Sequence, residues 1–192
     1  MKKNVWRKRI IGFLIILSLL AGCVVVSICL FFSYKLEPLP LMFQEEIEAS
    51  AEEFNLSKAL VAAVCFTESS FRVSVVSSSG AIGLMQLMPT TAVWIADKIG
   101  MNGFLVSSLT TPEINIYLGC AYLNYLQKRF SNENTVLCAY NAGEGTVSTW
   151  LLNSEYSCDG ETLKKIPYTE TERYVQKVNL AKATYSNQKL WS

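Results

Sequence analysis

The stretch Ala59–Pro89 reads ALVAAVCFTESSFRVSVVSSSGAIGLMQLMP, and the rest of the chain can be interpreted from it. Its first half, Ala59–Phe71, has the length and apolar composition of a buried helix and holds a single charged residue, Glu68. Its second half is a loop rich in serine and glycine that continues into an apolar run with one amide, Gln86. We therefore expect a central helix that ends at a lone carboxyl group beside a glycine-bearing turn.

The N-terminal part of the chain has the pattern of a membrane-targeting segment. Residues 1–9 contain five lysines and arginines, and residues 10–32 contain no charged residue. Such an apolar run is long enough to cross a bilayer, and its positive flank stays in the cytoplasm. We therefore predict a cytoplasmic basic segment at 1–9, a single-pass transmembrane signal anchor at 10–32, a linker at 33–42 and an extracytoplasmic domain at 43–192. The alternative is a lipoprotein cleaved before Cys23, because Leu20-Ala21-Gly22-Cys23 has the form of a lipoprotein cleavage site.

Composition excludes several classes of function. The chain has 17 Lys+Arg and 16 Asp+Glu, so the part that follows the basic segment carries a net charge of −4 and has no basic stripe for nucleic acid. It contains no histidine, which excludes Ser–His and Cys–His catalysis and the usual zinc ligand sets. No two cysteines have CxxC spacing, and we predict neither a metal nor a cofactor. Cys65, Cys120 and Cys138 lie on apolar helical faces and are interpreted as small buried hydrophobes; spacing leaves a disulfide involving these or Cys158 open.

Helical periodicity continues through the rest of the chain. Ser57 is a suitable N-cap for the central helix, and Val73–Val76 is the only candidate for β structure, as one small hairpin. The sequence therefore predicts an all-α domain, mainly helical. The further helices are expected at Met42–Phe54, Pro89–Lys98, Pro112–Phe130, Thr135–Asn141, Thr146–Leu152 and Thr169–Ser186, with 101–111, 132–134 and 142–145 irregular or turns.

Glu68 is the first candidate for chemistry. It shares a helical face with Val64 and Phe71, so its charged form is disfavoured and its pKa should be raised. A carboxylic acid that stays protonated near neutral pH is a good general acid, and cleavage of a glycosidic bond needs one. A structural role, in which Glu68 pairs with Arg72 or Arg173 or caps a loop, stays open at this point.

A second carboxylate is missing from the neighbourhood of Glu68 in the sequence. No Asp or Glu lies between Phe71 and Trp94. The hypothesis that follows is a mechanism with one carboxyl group, in which the N-acetyl group of the substrate stabilises the positive sugar carbon. Gln86 and the Ala139–Gly143 stretch, AYNAG, offer an amide and an aromatic ring suited to an N-acetylated sugar.

Five separated blocks of the sequence together resemble a known family. They are Glu68–Phe71 (ESSF), Gly80–Pro89 (GAIGLMQLMP), Asn115-Ile116 before Leu118-Gly119, Ala139–Gly143 (AYNAG), and Ile166–Thr171 (IPYTET) with Tyr174-Val175. Their order and spacing resemble the soluble lytic transglycosylase (SLT) family, whose catalytic domain is similar to goose-type lysozyme.

This resemblance implies a helical, lysozyme-like domain that cleaves peptidoglycan glycan strands. The β-1,4 bond between N-acetylmuramic acid and N-acetylglucosamine would be cut with formation of a 1,6-anhydromuramoyl end. It implies that Glu68 is the catalytic acid and then base. It places the substrate-binding positions at Ser77, Gln86, Met88, Tyr140, Asn141, Glu170 and Tyr168. The alternatives are a hydrolytic muramidase of the lysozyme type and a non-catalytic glycan-binding component of a cell-envelope machine; no protein partner is identified.

Overall fold

The computed structural model describes residues 17–27, 38–188 and 191. They fall into two units, one within Met1–Pro38 and one within Leu39–Ser192. In the first unit, residues 17–27 are helical, and the other residues of the predicted anchor lie outside the described residues, as do residues 33–37 of the predicted linker. Across the described ranges, no helix combines the length and the apolar character needed to cross a bilayer.

The second unit is built from α-helices joined by short loops. The described part contains no named strand, only three isolated antiparallel bridges, two of which (Val76–Ile82 and Ile82–Leu87) lie in the loop after the central helix. The prediction of a mainly helical fold is therefore confirmed. The helices are α1 Gln44–Glu53, α2 Lys58–Ser69, α3 Pro89–Lys98, the 3-10 helix η1 Val106–Thr110, α4 Pro112–Arg129, α5 Glu133–Ala142, α6 Glu144–Leu151 and α7 Thr169–Asn187.

Helix α2 lies at the centre of this unit. Its residues Ala59–Cys65 are all buried, so the helix has neighbours on every side. Ser57 is its N-cap and accepts a hydrogen bond from the Leu60 N–H at 3.4 Å, as predicted. Helix α2 packs most extensively against α7. The C-terminal end of α2, which carries Glu68, is thus held by the main hydrophobic core.

The sequence misplaced the boundaries of the helices around α5. Asn132 caps α5 by accepting a hydrogen bond from the Thr135 N–H at 3.1 Å, so the residues predicted as a turn at 132–134 begin a helix instead. Only Gly143, with φ 90°, separates α5 from α6, where a longer turn was expected. The segment 101–111, predicted to be irregular, contains η1. In each case a local cap or turn extends helical structure further than the apolar pattern indicates.

The cysteines of the helical core behave as the sequence predicts. Cys65, Cys120 and Cys138 are buried and free, and Cys158 is free and exposed. Burial raises the pKa of the Cys138 thiol to about 12 and raises the pKa values of Cys65 and Cys120 as well. These thiols are therefore neutral, space-filling groups.

Candidate active site

The end of α2 is shaped by two residues in the left-handed backbone region. Ser70 and Phe71 have φ values of 51° and 58°, and the Ser70 N–H bonds the Phe66 carbonyl at 2.9 Å. The hydroxyl of Ser69 lies 3.0 Å from the Cys65 carbonyl and 2.9 Å from the Leu84 carbonyl, and shares its proton between them. The chain therefore turns sharply just after Glu68 and is fastened there to the loop that follows.

Glu68 lies in the last turn of α2 and is only partly buried, so it keeps access to the surface. Burial raises the pKa of its carboxyl from 4.5 to about 7. The negative end of the α2 dipole also disfavours a carboxylate at this position. Within the described part of the chain Glu68 forms no ion pair, and the Arg72 Nε donates to the Ser69 carbonyl at 2.9 Å instead. The expectation of a raised pKa is met, and the ion pairs of the described residues do not include the alternative pairing of Glu68 with Arg72 or Arg173.

Two phenols accompany the Glu68 carboxyl. Burial, followed by the nearby charge of Glu68, raises the pKa values of Tyr140 and Tyr174 well above their ordinary value, so both stay protonated. Tyr140 donates to the Met85 carbonyl at 2.8 Å. The buried Tyr174 hydroxyl has no partner with regular hydrogen-bond geometry in the described residues. Its interaction with the Glu68 carboxyl nevertheless lowers the pKa of that carboxyl and so acts against the effect of burial.

Asn115 holds the loop that follows Glu68. This residue of α4 is fully buried, and its Nδ2 donates to the Ile82 and Leu109 carbonyls at 3.0 and 2.8 Å. Its Oδ1 accepts from the Met85 N–H at 2.8 Å. Two of these bonds, to Ile82 and Met85, fix the loop against α4 close to the end of α2, and the third ties Leu109 of η1 to the same buried side chain.

Two glycines allow this close approach. Gly83 has φ 83°, and a Cβ there would clash with the Asn115 side chain and the Leu109 carbonyl. Gly119, on α4, has no room for a Cβ because the Met85 side chain packs directly against it. Gly83 and Gly119 are therefore required by the packing of the loop on α4.

The predicted binding residues of this loop already have internal contacts. Gln86 adopts a left-handed backbone conformation (φ 48°), and its Nε2 donates to the Val75 and Gly83 carbonyls at 3.1 and 2.8 Å. The Ser77 hydroxyl accepts from the Ala81 N–H at 2.9 Å. Met88, the N-cap of α3, is 40% exposed, whereas Met85 is fully buried. Met88, which the resemblance places among the binding positions, therefore reaches the surface.

The remaining predicted residues lie on α5 and at the start of α7. Asn141 is exposed and its Oδ1 accepts from the buried Thr171 hydroxyl at 2.8 Å, which ties the end of α5 to α7. Glu170 is exposed, one helical turn before Tyr174 on the same face. Tyr168 is 56% exposed and packs edge-on against Trp150, with ring centroids 4.9 Å apart. The structure thus brings Glu68, Tyr140 and Tyr174 together, while no described contact joins Glu170 or Tyr168 to them.

An aromatic cluster beside Tyr140 was not predicted from the sequence. Tyr122 lies 5.4 Å from Tyr140 between ring centroids, and Trp94 lies 4.8 Å from Tyr125. Glu144 accepts a hydrogen bond from the Tyr125 hydroxyl at 2.9 Å. These residues come from three helices and share no local motif. Asn115, by contrast, could have been recognised from the sequence as a buried hydrogen-bonding residue, because it is an amide on a helical face that is otherwise apolar.

Sequence comparison identifies the family. The model of the transglycosylase SLT domain matches residues 45–163. The chain is 34% identical over 152 residues to the soluble lytic murein transglycosylase of Escherichia coli K12, covering 78% of this chain and 24% of that protein. It is 35% identical over 169 residues to the membrane-bound lytic murein transglycosylase C of Yersinia enterocolitica, covering 77% and 46%. The chain therefore spans about a quarter of the length of the soluble relative.

Solved structures agree with this assignment. The lytic transglycosylase Slt of Pseudomonas aeruginosa, determined as an inactive glutamate-to-glutamine mutant, superposes with a TM-score of 0.70 at 35% identity, covering 79% of this chain and 25% of that one. The 70-kDa soluble lytic transglycosylase of Escherichia coli gives a TM-score of 0.68 at 32% identity, covering 77% and 24%. The chain belongs to the transglycosylase SLT domain family.

Proposed function

We propose that the domain at 43–192 is a peptidoglycan lytic transglycosylase in which Glu68 acts as general acid and then as general base. One observation carries the proposal: Glu68 lies at the end of a buried helix, free of any described ion pair, with a pKa raised to about 7. At that pKa the carboxyl can both give and take a proton near neutral pH. A cleavage reaction with one carboxyl group needs a residue of this kind.

The reaction follows from this single group. The Glu68 carboxyl gives its proton to the glycosidic oxygen as the bond from that oxygen to C1 of muramic acid breaks. The carbonyl oxygen of the substrate's own acetamido group stabilises the positive charge at C1. The Glu68 carboxylate then takes the proton of the muramic C6 hydroxyl while O6 bonds to C1. The carboxyl is protonated again, no water is consumed, and the product is a 1,6-anhydromuramoyl end.

The residues around Glu68 are suited to orient this substrate. We propose that the Tyr140 ring, held in place by its hydrogen bond to the Met85 carbonyl, contacts the substrate, and that the Tyr174 hydroxyl donates to the Glu68 carboxylate or to the substrate. The Gln86 nitrogen is engaged in the loop, so its oxygen is the atom left to accept from an acetamido N–H. The other proposed contacts come from Ser77, Met88, Asn141, Glu170 and Tyr168; of these, Met88, Asn141, Glu170 and Tyr168 are exposed.

The relatives support the same chemistry. Their names describe lytic murein transglycosylases, and the Pseudomonas protein is inactive as a glutamate-to-glutamine mutant. A reaction that depends on one glutamate in a relative fits a site with one partly buried glutamate. Peptidoglycan is accordingly the substrate proposed for this chain.

The product distinguishes this function from its alternatives. The full chain in detergent is incubated with purified peptidoglycan, and the soluble fragments are analysed by mass spectrometry. We expect anhydromuropeptides from the wild type and none from Glu68→Gln. Reducing-end fragments, which are heavier by one water, would instead indicate a hydrolytic muramidase. Binding without any fragment release would indicate a glycan-binding component.

We further propose that residues 1–32 attach the domain to the outer face of the cytoplasmic membrane. The support is the basic segment followed by the uncharged run, together with the membrane-bound relative from Yersinia. Extraction of membranes with alkaline carbonate should leave the wild type in the pellet. A Cys23→Ala variant of unchanged mass and membrane retention would favour the uncleaved anchor. A variant that lacks the lipid but keeps residues 1–22, and is therefore heavier overall than the processed wild type, would favour the lipoprotein.

A further inference from the structure

An open groove of about 610 Å³ lies between α1 and α4. The residues that line it come from the N-terminal half of α1, the loop after α3 and the start of α4. None of them belongs to the proposed active site. The groove is therefore a separate surface, and what it can bind depends on the chemistry of its floor and its rim.

The floor of this groove is mostly apolar and is held in place by the core. Met101 and Ile114 are half-buried and pack against the apolar cluster that α3, η1 and α4 form together. The Tyr117 ring packs edge-on against the Phe54 ring, with the ring centroids 4.9 Å apart. Ala49 of α1 is exposed and has a small side chain, which leaves the space above this floor open. An apolar side chain of a binding partner could therefore be removed from water here without rearrangement of the floor.

The rim of the groove carries three glutamates, Glu45, Glu46 and Glu113. They lie in the first turns of α1 and α4, where the helix dipole favours a carboxylate, and the packing of α1 against α4 brings them to one groove. No lysine or arginine lines the groove, and none of the three forms an ion pair within the described part of the chain. Glu48, on the same helix as the first two, pairs instead with Lys58 at 3.1 Å. The groove thus presents uncompensated negative charge around an apolar floor.

We propose that this groove is the docking site for a basic, partly apolar segment of a partner protein. Apolar side chains of the segment enter the space between Ala49 and Tyr117, and its lysines or arginines reach the glutamates of the rim. An anionic lipid surface would be repelled by the rim. A purely apolar partner would bury the three carboxylates without compensation, which is costly. The charge of the groove therefore selects a basic partner, and docking there does not depend on turnover at Glu68.

Binding of a synthetic peptide tests the role of the rim. The full chain in nanodiscs of neutral phosphatidylcholine is titrated into a fluorescein-labelled peptide in which four lysines alternate with three leucines. Binding is read as fluorescence anisotropy, and empty nanodiscs give the background. We expect saturable binding by the wild type, weakened about tenfold when Glu45→Gln, Glu46→Gln and Glu113→Gln are combined, because each exposed ion pair contributes modestly. This difference should shrink as salt is added.

Two further comparisons separate the groove from net charge and test its floor. The combination of Glu52→Gln, Glu53→Gln and Glu172→Gln removes the same charge from exposed positions outside the groove, and it should leave the affinity within about twofold of the wild type. Ala49→Leu fills the groove without changing its charge and should weaken binding at least about fivefold. Ala183→Leu, the same change at an exposed position of α7, should have no effect. A peptide with serines in place of its leucines should also bind the wild type at least about fivefold more weakly.

Several results would overturn the docking site. One is equal affinity of the wild type and the variant that lacks the three rim glutamates, and another is equal loss of affinity in the matched-charge control. Full affinity for the serine peptide, or for Ala49→Leu with the helix content of the wild type by circular dichroism, would show that the floor takes no part. Dimerisation of the wild type that is abolished by the three rim substitutions, measured by mass photometry, would show that a second copy of the chain occupies the groove instead.

Discussion

The two sides of the candidate site are built differently. One side, the end of α2 with the loop to Met88, is fixed by buried hydrogen bonds from Asn115 and Ser69. The other side, the end of α5 with the start of α7, presents exposed side chains and one hydrogen bond between Thr171 and Asn141.

This difference suits the two sides to different proposed roles, proton transfer on one side and substrate binding on the other. The fixed side holds Glu68, the proposed proton-transfer group, whose pKa is raised by burial, and burial requires a neighbourhood that does not relax. The exposed side provides hydroxyl, amide and carboxyl groups that we propose adapt to the glycan strand. Substitutions on the fixed side should therefore abolish catalytic turnover or destabilise the fold. Substitutions on the exposed side should only weaken substrate binding.

The largest effect is expected from Glu68→Gln. General acid–base catalysis contributes about 10²–10⁴-fold, and Glu68 is proposed to serve in both steps, so turnover should fall toward the upper end of that range. The measurement is the rate of anhydromuropeptide release from peptidoglycan. Glu170→Gln, the same change on the exposed side, should keep the rate at saturating substrate within about tenfold. Similar rates for the two variants would remove the distinction between the sides.

Asn115→Ala should destabilise the fold most among the residues that do not touch substrate. It removes three buried hydrogen bonds and leaves their partners unsatisfied, and we expect a loss of about 3–5 kcal/mol in the free energy of unfolding. Asn124→Ala is the matched control on the same helix, since its Nδ2 makes one hydrogen bond, to the Phe54 carbonyl at 2.7 Å. Its loss should be about 1 kcal/mol by urea denaturation. Equal losses would show that Asn115 does not hold the loop.

The pH dependence of stability gives an effect of intermediate size. Because the pKa of Glu68 is raised from 4.5 to about 7, the folded state keeps its proton longer than the unfolded state as pH rises. The stability that this group contributes is present below about pH 4.5 and is lost as pH rises to about 7. Relative to wild type, Glu68→Gln should therefore gain up to about 3 kcal/mol between about pH 4 and about pH 8. A difference that does not change with pH would contradict the shifted carboxyl.

The smallest effect is expected from Thr171→Val. It removes the hydrogen bond to Asn141 but keeps the shape of a buried side chain. We expect KM for peptidoglycan to rise about two- to fivefold, equivalent to about 1 kcal/mol, with kcat nearly unchanged. Thr184→Val, an exposed threonine on the same helix that bonds only the Leu180 carbonyl, should change neither constant. A large fall in kcat would show that Thr171 is needed for turnover, as is expected only of residues on the fixed side.

The sequence predicted those features that depend on neighbours along the chain. The apolar run Ala59–Cys65 around one carboxyl was sufficient to predict a central helix and a raised pKa for Glu68. Prolines and caps located α2, α3 and α4 well. The start of α5 was missed because a single Asn132 cap outweighs a polar pattern that is typical of a turn.

Features that depend on tertiary contacts were not predictable. Nothing local indicates that Trp94, Tyr122 and Glu144 meet, since each comes from a different helix. The sequence also could not show that the Gln86 nitrogen donates within the loop, so that only its oxygen is left for the proposed contact with the substrate. Resemblance to a family indicates which residues could bind substrate. The hydrogen bonds within the structure show which atom of each residue is still able to do so.

Direct titration of Glu68 tests the central claim, which is that the fixed side of the site holds a partly buried carboxyl with a raised pKa. The carboxyl carbons are labelled with ¹³C and followed by NMR across pH, and the Glu68 signal is assigned by its absence from Glu68→Gln. We predict a midpoint at about 7, against the ordinary value of 4.5 for a glutamate. A midpoint near 4.5 would mean that Glu68 is a carboxylate at neutral pH, and it would contradict its role as the proton donor.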